Sequence, residues 1–414
     1  MRTRWIRLWQ WTAWGGIGLS LYAGWLTVDD LRDRAAGERA IGAACGGLVP
    51  PAEVMDLHGG TGRAETGDSD RIDVRLPASA CAVYEVPGPG GTKSLFTLTV
   101  WSSGHSKALN PIGDEQRFEP FLERGDPRKA DSADSADVTA VADRRPEPRP
   151  LADGVLGRYG DGYATVRAEC GPGSAPKAPA LLYVTARADY DDVSAADRGR
   201  LARLARAAAA GAADRIGCRA RLPELPEQPL PTVPSALRPA READGSCGWF
   251  AAHLARQGTA GLPDRFLATP ALAANPVESC LLAVGPDQVE RIAEGLPDTE
   301  RRSARRALEH SPWWLRTVSY FGPEAHTVSY DDLGKDRRIG AGTAGYARNV
   351  WWASSVCDGR PALHTLSSSY TYDDTFTPER MSALFRAYVD DVTERRGCTR
   401  VTHPTAKDFR SLGD

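Results

Sequence analysis

The chain lacks the short motifs that identify many enzymes and redox proteins. No two cysteines have the C-x-x-C spacing of a redox or zinc site, and no G-x-S-x-G sequence predicts the nucleophile elbow of a hydrolase. No histidine lies three or four residues from another, so no metal site on a helix is indicated. The G-x-G-x-x-G sequence at 340–345 follows charged residues instead of a strand, which favours a turn over a dinucleotide site. We therefore expect no metal and no cofactor.

Clustered positive charge is also lacking. The formal net charge is −3, and because residues 1–28 contribute +3, the remainder of the chain carries −6. Binding of a phosphate backbone requires clustered positive charge. We expect no nucleic-acid partner.

One long apolar stretch is present, at 8–28, and it contains no charged residue. A helix needs about 20 residues to cross a bilayer. Arginines precede the stretch and aspartates follow it, so the positive-inside rule places the N-terminus in the cytoplasm. We therefore predict a cytoplasmic tail at 1–7, a transmembrane anchor in the lipid bilayer at 8–28, and a single-pass protein of the cell membrane whose bulk is extracytoplasmic. A cleaved signal peptide is the alternative.

The cysteines indicate export and an internal duplication. All eight follow the anchor, and disulfides persist mainly in oxidising compartments. The intervals between successive cysteines are 36, 89 and 48 residues in the first half of the chain and 33, 77 and 41 in the second. The same order of lengths recurs, which predicts two repeats of one domain.

A helix closes each predicted repeat. Apolar residues lie 17, 14, 10 and 6 positions before the last cysteine of each half, a spacing that places them on one helical face. Ser194 and Thr377 are favoured N-cap residues, and Gly217 and Gly397 are suited to the C-terminal cap.

Strands precede both helices, and a Gly/Pro turn joins the first two strands into a hairpin. The fold class is therefore α+β: two tandem α/β sandwich-like repeats, each an antiparallel sheet plus helices, after one N-terminal transmembrane helix. The predicted strands are 81–86, 94–101, 163–169 and 180–187 in repeat 1, and 280–284, 349–356 and 362–370 in repeat 2. The predicted segments are a stalk at 29–44, repeat 1 at 45–218 with a mobile loop at 123–150, a proline-rich linker at 219–244, repeat 2 at 245–403 and a tail at 404–414.

The opening of repeat 1, Cys45-Gly-Gly-Leu-Val-Pro-Pro-Ala-Glu53-Val54, resembles the start of cysteine-paired domains in cell-envelope lipoproteins of actinobacteria. Cys81-Ala-Val-Tyr84 matches the strand that carries the second cysteine in those domains. In repeat 2, Cys247-Gly-Trp-Phe departs from the opening pattern. The resemblance implies an envelope domain of unknown role and supplies no catalytic residues.

Within each half, three disulfide connectivities are compatible with the sequence. The preference for nearest neighbours and the pattern of the resembling domains favour four structural disulfides. In the chain-entropy picture, each of them stabilises the fold by about 3–4 kcal/mol. The favoured pairs are Cys45–Cys81, Cys170–Cys218, Cys247–Cys280 and Cys357–Cys398.

Two kinds of residue pair are candidates for function. Adjacent tryptophans on a strand point to opposite faces, so one of each pair could present a binding surface, and burial of both is the alternative. The aspartate pairs before the closing helices suit acid–base work or calcium, but helix N-termini also attract negative charge for structural reasons. The pairs are Trp313 and Trp314, Trp351 and Trp352, Asp191 and Asp192, and Asp373 and Asp374.

The sequence names no reaction. We expect a non-enzymatic extracytoplasmic module that binds an envelope protein or a glycan at the bacterial cell envelope. The alternative is a cell-envelope hydrolase that uses paired carboxylates such as Asp373 and Asp374.

Overall fold

The computed structural model describes the parts of the chain that follow: residues 25, 28–67, 71–76, 78–86, 91–103, 110–112, 121, 147–298, 300–309, 312–332, 335–369 and 372–409. The predicted anchor at 8–28 lies outside these residues except for Trp25 and Val28. Within the described ranges, no helix is both long and apolar enough to cross a membrane.

Repeat 1 is built on a seven-stranded antiparallel sheet. Its strands are β1 (Ala64–Thr66), β2 (Ala78–Glu85), β3 (Lys93–Ser102), β5 (Arg149–Leu151), β6 (Gly157–Tyr159), β7 (Tyr163–Glu169) and β8 (Leu181–Ala188), and a short β4 (Asn110–Ile112) lies outside this sheet. The spatial order is β1-β2-β3-β8-β7-β6-β5. The hairpin predicted at 81–101 is confirmed as the β2–β3 pair.

Repeat 2 is built on an eight-stranded sheet. Its strands are β9 (Arg238–Pro239), β10 (Arg265–Ala268), β11 (Val277–Ala283), β12 (Trp314–Phe321), β15 (Gly345–Ala347), β16 (Val350–Cys357), β17 (Arg360–Ser368) and β18 (Thr399–Thr402). The order is β15-β16-β17-β12-β11-β10-β9, with β18 paired to β16. A third sheet contains β13 (Val328–Asp331) and β14 (Asp336–Arg338).

The two large sheets share one topology. The path β1-β2-β3-β8-β7-β6 in repeat 1 corresponds to β10-β11-β12-β17-β16-β15 in repeat 2. Cys81 lies on β2 and Cys280 lies on the equivalent β11. The two halves therefore share one strand order, which agrees with the duplication that the cysteine intervals predict.

Seven helices are described in these residues. They are α1 (28–44), α2 (Pro51–Met55), α3 (Ala195–Ile216), α4 (Gly248–Gln257), α5 (Pro286–Glu294), α6 (Arg301–Glu309) and α7 (Pro378–Arg395). The Ser194 hydroxyl accepts the Asp197 N–H at the start of α3, and the Thr377 hydroxyl accepts the Arg380 N–H at the start of α7. Gly217 is left-handed at the end of α3, with φ 67°, as expected for a C-terminal cap. Both closing helices are confirmed.

Four disulfides join equivalent elements in the two repeats, and they are the pairs that the sequence favours. Each cysteine pair ties a helix end to a strand, and the enclosed loops are 33 to 48 residues long. The pairs are Cys45–Cys81, Cys170–Cys218, Cys247–Cys280 and Cys357–Cys398. In the chain-entropy picture, a disulfide that closes a loop of this length lowers the entropy of the unfolded state. Each one thereby stabilises the folded state by about 4 kcal/mol.

The chain forms four layers, helix on sheet on sheet on helix. On β7, Ala164, Val166 and Ala168 face α3 and are buried in one apolar core, whereas Thr165 and Arg167 face away from the helix. Repeat 2 has its own core between its sheet and α4 and α7. Because side chains alternate along a strand, each sheet keeps a second face free of its own helices, and these two faces meet.

Two segments, the predicted linker and the predicted stalk, are packed against the rest of the chain. The proline-rich linker at 219–244 packs against repeat 1, because Leu230 and Val233 are buried in the first core and the Arg198 side chain donates to the Leu230 carbonyl. It then forms β9 and its β10 pairing. The stalk at 29–44 lies within α1, whose Ile41 is fully buried. Tertiary contacts with apolar residues override the local polarity of these segments.

The predicted tail and mobile loop also contain packed residues. Phe409 is buried and stacks on Trp351, while residues 410–414 lie outside the described ranges. At the end of the predicted loop 123–150, Glu147 is buried and β5 begins at Arg149. Residues 123–146 lie outside the described ranges.

Two described parts of the segment between β3 and β5 contact repeat 2. Its β4 pairs in parallel with β13, with Asn110 opposite Val328. Its Phe121 joins a buried apolar cluster with Leu281 and Trp314 of the second sheet. This insertion therefore holds the two repeats together at points well separated along the chain.

Candidate functional site

The two sheets meet through the faces that point away from their helices, and a cleft opens between them. From repeat 1, the cleft is lined by residues of β5, β6, β7 and β8 and the turns around them. From repeat 2, it is lined by the start of β11 and the segments before it. The lining residues are Pro148, Pro150, Gly154, Gly157, Arg158, Thr165, Arg167, Tyr183, Thr269, Asn275, Pro276, Val277 and Ser279.

One side of the cleft is closed by a buried ion pair between the repeats. Arg167 of β7 donates through Nε to Glu324 Oε1 at 2.5 Å, and through Nη2 to Glu169 Oε2 at 3.1 Å. The Glu324 side chain is fully buried, and that of Arg167 is 10% exposed. Burial raises the pKa of the Glu324 carboxyl, while the positive charge of Arg167 acts in the opposite direction.

A second ion pair runs in the opposite direction. Glu147 of repeat 1 lies 2.9 Å from Arg316 Nη2 on β12, and the Ser279 hydroxyl donates to the same carboxylate. To these two pairs, each repeat therefore contributes one arginine and one glutamate. A buried carboxylate is costly unless it is paired, so these contacts favour one arrangement of the two sheets over others.

The wall of the cleft is shaped by two glycines. A Cβ at Gly154 would lie 2.6 Å from the Asn275 side chain, and a Cβ at Gly157 would lie 2.1 Å from the Thr165 carbonyl oxygen. Both glycines have positive φ, which L side chains rarely adopt. Gly154 therefore lets the backbone of repeat 1 approach Asn275 of repeat 2, and Gly157 lets β6 lie close against β7.

Three of the four candidate tryptophans are buried. Trp313 stacks on Tyr372 in the second core, and Trp351 donates through Nε1 to the Asp408 carbonyl. Trp314 lies on the opposite face of the sheet, where the apolar cluster with Phe121 covers it. Both members of the first pair are therefore buried, which is one of the two alternatives that the sequence leaves open, and the insertion from repeat 1 covers Trp314.

Trp352 is the candidate tryptophan that keeps partial exposure. Its ring stacks against Tyr330, with ring centroids 5.8 Å apart, and its Nε1 donates to Thr343 Oγ1 at 3.2 Å. A Cβ at Gly345 would lie 2.8 Å from this indole, so the glycine leaves room for the ring. Residues 340–344 form a turn before β15, and a dinucleotide-binding helix does not follow.

The two aspartate pairs have different surroundings. Asp191 and Asp192 are exposed before α3. Asp373 is half-buried and accepts from Asn349 Nδ2 at 3.4 Å. Burial, together with the charge of Asp374, raises the pKa of Asp373 to about 6. The two aspartate pairs therefore occupy equivalent positions before the closing helices. They differ in that Asp373 is half-buried and its pKa is raised.

A serine–histidine network lies inside repeat 2, away from solvent. His364 contacts the Ser319 hydroxyl through Nδ1 at 2.9 Å and the Ser355 hydroxyl through Nε2 at 2.8 Å. Ser319 also lies 2.5 Å from the Tyr388 hydroxyl of α7. Burial lowers the pKa of His364 to about 3, so the ring is neutral near pH 7. Because all of these groups are sealed in the core, the network connects sheet to helix and does not present a nucleophile.

Sequence reasoning missed the residues of the cleft. Arg158, Arg167 and Asn275 carry no motif, and they line the cleft from positions up to 117 residues apart. A weak signal exists in β7, where polar residues alternate with buried ones and thus indicate a polar second face. That alternation does not say what the polar face contacts.

No cluster of three or more potential metal ligands occurs among the described residues. Comparisons with protein-family models, curated proteins and solved structures find no match to this chain.

Proposed function

We propose that this chain is a membrane-anchored, extracytoplasmic binding protein of the bacterial cell envelope, and that its ligand site is the cleft between the two repeats. The observation that carries the proposal is a cleft walled by both repeats, on which a few polar side chains converge. Ligand sites occur preferentially at domain interfaces with a few convergent polar groups. An envelope protein or a glycan is the expected class of partner.

Export is supported by the disulfides. All eight cysteines are paired, and such bonds form and persist in oxidising compartments. The apolar stretch at 8–28 would provide the anchor, and α1, which is described from residue 28, packs into repeat 1 through Ile41 and Ala44. A non-enzymatic role is supported by the burial of the Ser319–His364 network, which no substrate can reach in this arrangement.

Photo-crosslinking on the full chain tests the position of the site. A photo-reactive residue in place of Pro148 lies at the cleft, and one in place of Glu227 lies in the groove beside α3. With solubilised cell envelope, we expect a discrete adduct from position 148 and none from position 227. Reduced and alkylated chain serves as the control for folding. Equal labelling from both positions, or none from either, would exclude the cleft as the binding site.

Asp373 favours a second candidate function, an envelope hydrolase. A carboxyl with a pKa of about 6 is suited to general acid–base catalysis near neutral pH, and Asp374 lies beside it. If the chain releases reducing ends from cell-wall polymer, Asp373→Asn and Asp374→Asn should each abolish that release, while Asp191→Asn leaves it unchanged. Retained activity in both variants would exclude this mechanism.

A further inference from the structure

Arg158 stands out among the charged side chains of the cleft. It lies on β6, is half-buried and lines the cleft beside Arg167. Within the described part of the chain it has no hydrogen-bond or ion-pair partner. A guanidinium carries five N–H donors in a planar fork that matches carboxylate and phosphate oxygens.

The glutamates that join the two repeats are already engaged by other arginines. Glu324 accepts from Arg167, and Glu147 pairs with Arg316. The third, Glu169, contacts both Arg167 and Arg360. These contacts use three glutamates for three arginines, and none of the three pairs with Arg158.

Asn275 offers a second donor from the opposite repeat. Its Oδ1 accepts the Val277 N–H at 3.3 Å, which orients the amide and leaves its Nδ2 group available at the cleft. Asn275 lies directly against Gly154 of repeat 1. An uncharged amide donor and a cation therefore line the same opening, one from each repeat.

We infer that the cleft binds an anionic group, a carboxylate or a phosphate, which accepts hydrogen bonds from Arg158 of repeat 1 and Asn275 of repeat 2. The inference rests on the proposed function, because it assigns the chemistry of a ligand to the proposed site. Such an anion joins the repeats, so its binding stabilises the contact between the sheets. Charge-assisted hydrogen bonds of this kind are stronger than neutral ones.

Binding of small anions to the full chain tests the inference. Inorganic phosphate and acetate are titrated at constant ionic strength and pH 7.5, and the melting temperature is followed. We expect it to rise with concentration, since a ligand that binds only the folded state stabilises it. Arg158→Gln should weaken the apparent affinity by about 10- to 100-fold, the range for a hydrogen bond to a charged group.

Two further variants keep the test informative if Arg158→Gln does not fold. Asn275→Asp retains the oxygen that accepts the Val277 N–H but repels an anion, so it should abolish the rise in melting temperature. Arg158→Lys keeps the charge without the planar fork and should give an intermediate loss. The matched control is Arg187→Gln on β8, because Arg187 is 67% exposed and pairs with Asp189. It should retain the full response.

An unchanged response in Arg158→Gln or Asn275→Asp, or no response of the wild type to either anion, overturns the inference. Crosslinking from position 148 separates this outcome from failure of the proposed function. If the wild type and Arg158→Gln give the same adduct there, the cleft still binds a partner, but Arg158 does not recognise an anion on it. Loss of the adduct in Arg158→Gln alone, with Arg187→Gln unchanged, supports the inference.

Discussion

The ion pair between Arg167 and Glu324 allows a quantitative test of how the repeats are joined. The pair is buried, and Glu324 Oε2 has no hydrogen-bond partner among the described atoms. Replacing Arg167 by Met leaves the Glu324 carboxylate buried without a cation. Removing one member of a buried pair typically costs about 3–5 kcal/mol. We expect Arg167→Met to lower the free energy of unfolding by this amount at pH 8.

The pH dependence follows from the raised pKa of Glu324. Because the folded state holds this proton more tightly than the unfolded state, the associated stability is fully present below the unfolded pKa and is lost as the pH rises through the folded pKa. Removal of Arg167 raises the folded pKa further, since the opposing positive charge is gone. The cost of Arg167→Met should therefore be large at pH 8 and much smaller at pH 4, where the carboxyl is protonated.

A double-mutant cycle isolates the interaction. Arg167→Met with Glu324→Leu removes both charges and fills the space with apolar atoms, so its stability should lie near that of the wild type. The coupling energy should then exceed about 2 kcal/mol. Guanidinium unfolding with intact disulfides, followed by tryptophan fluorescence, measures these values. Arg187→Met is the control, with an expected effect below about 1 kcal/mol because the side chain is exposed. Additive single effects, or a pH-independent cost, would refute the reasoning.

Three other perturbations have defined outcomes. Asp373→Asn should stabilise the protein at pH 8 by up to about 3 kcal/mol and have little effect at pH 3.5. The reason is that the pKa of Asp373 is raised from 3.8 to about 6 in the folded state, and each pKa unit corresponds to about 1.4 kcal/mol. Coincident unfolding curves of the variant and the wild type at pH 8 would contradict the raised pKa. Gly345→Ala should cost about 1–3 kcal/mol through contact with the Trp352 ring, and Trp352→Leu in the same chain should recover most of that loss in thermal unfolding; a tolerated alanine would show that the ring can shift. Replacing Cys170 and Cys218 together by Ser should lower the free energy of unfolding by about 4 kcal/mol and increase amide hydrogen exchange mainly in repeat 1. An equal increase in exchange in repeat 2 would show that the two cores unfold as one unit.

Local features of the sequence predicted local structure well. Ser194 and Gly217 bound α3 as expected because capping depends on a few neighbouring backbone groups. The strand predicted at 163–169 is β7, because alternation of side chains reports a half-buried strand directly. The favoured disulfides are present, and the linear order of the cysteines reflects the order of the elements that they join.

The contact between the repeats was decided by tertiary structure. Trp314 is buried because Phe121, nearly 200 residues earlier in the chain, lies in the same cluster. Glu147, in a segment with low apolar content, is buried because Arg316 and Ser279 satisfy it from the other repeat. Neither partner is indicated by the residues around these positions.

The sequence by itself determined that this chain contains two disulfide-stabilised α+β repeats, since periodicity, capping residues and cysteine order act over short distances or through covalent bonds. The cleft arose only in the tertiary structure. Which faces of two sheets meet depends on burial and charge pairing between residues far apart in the sequence. Those contacts are defined only once both sheets have formed. Arg158 illustrates the difference: in the sequence it is one arginine among many, and in the fold it lies on β6 at the cleft between the repeats.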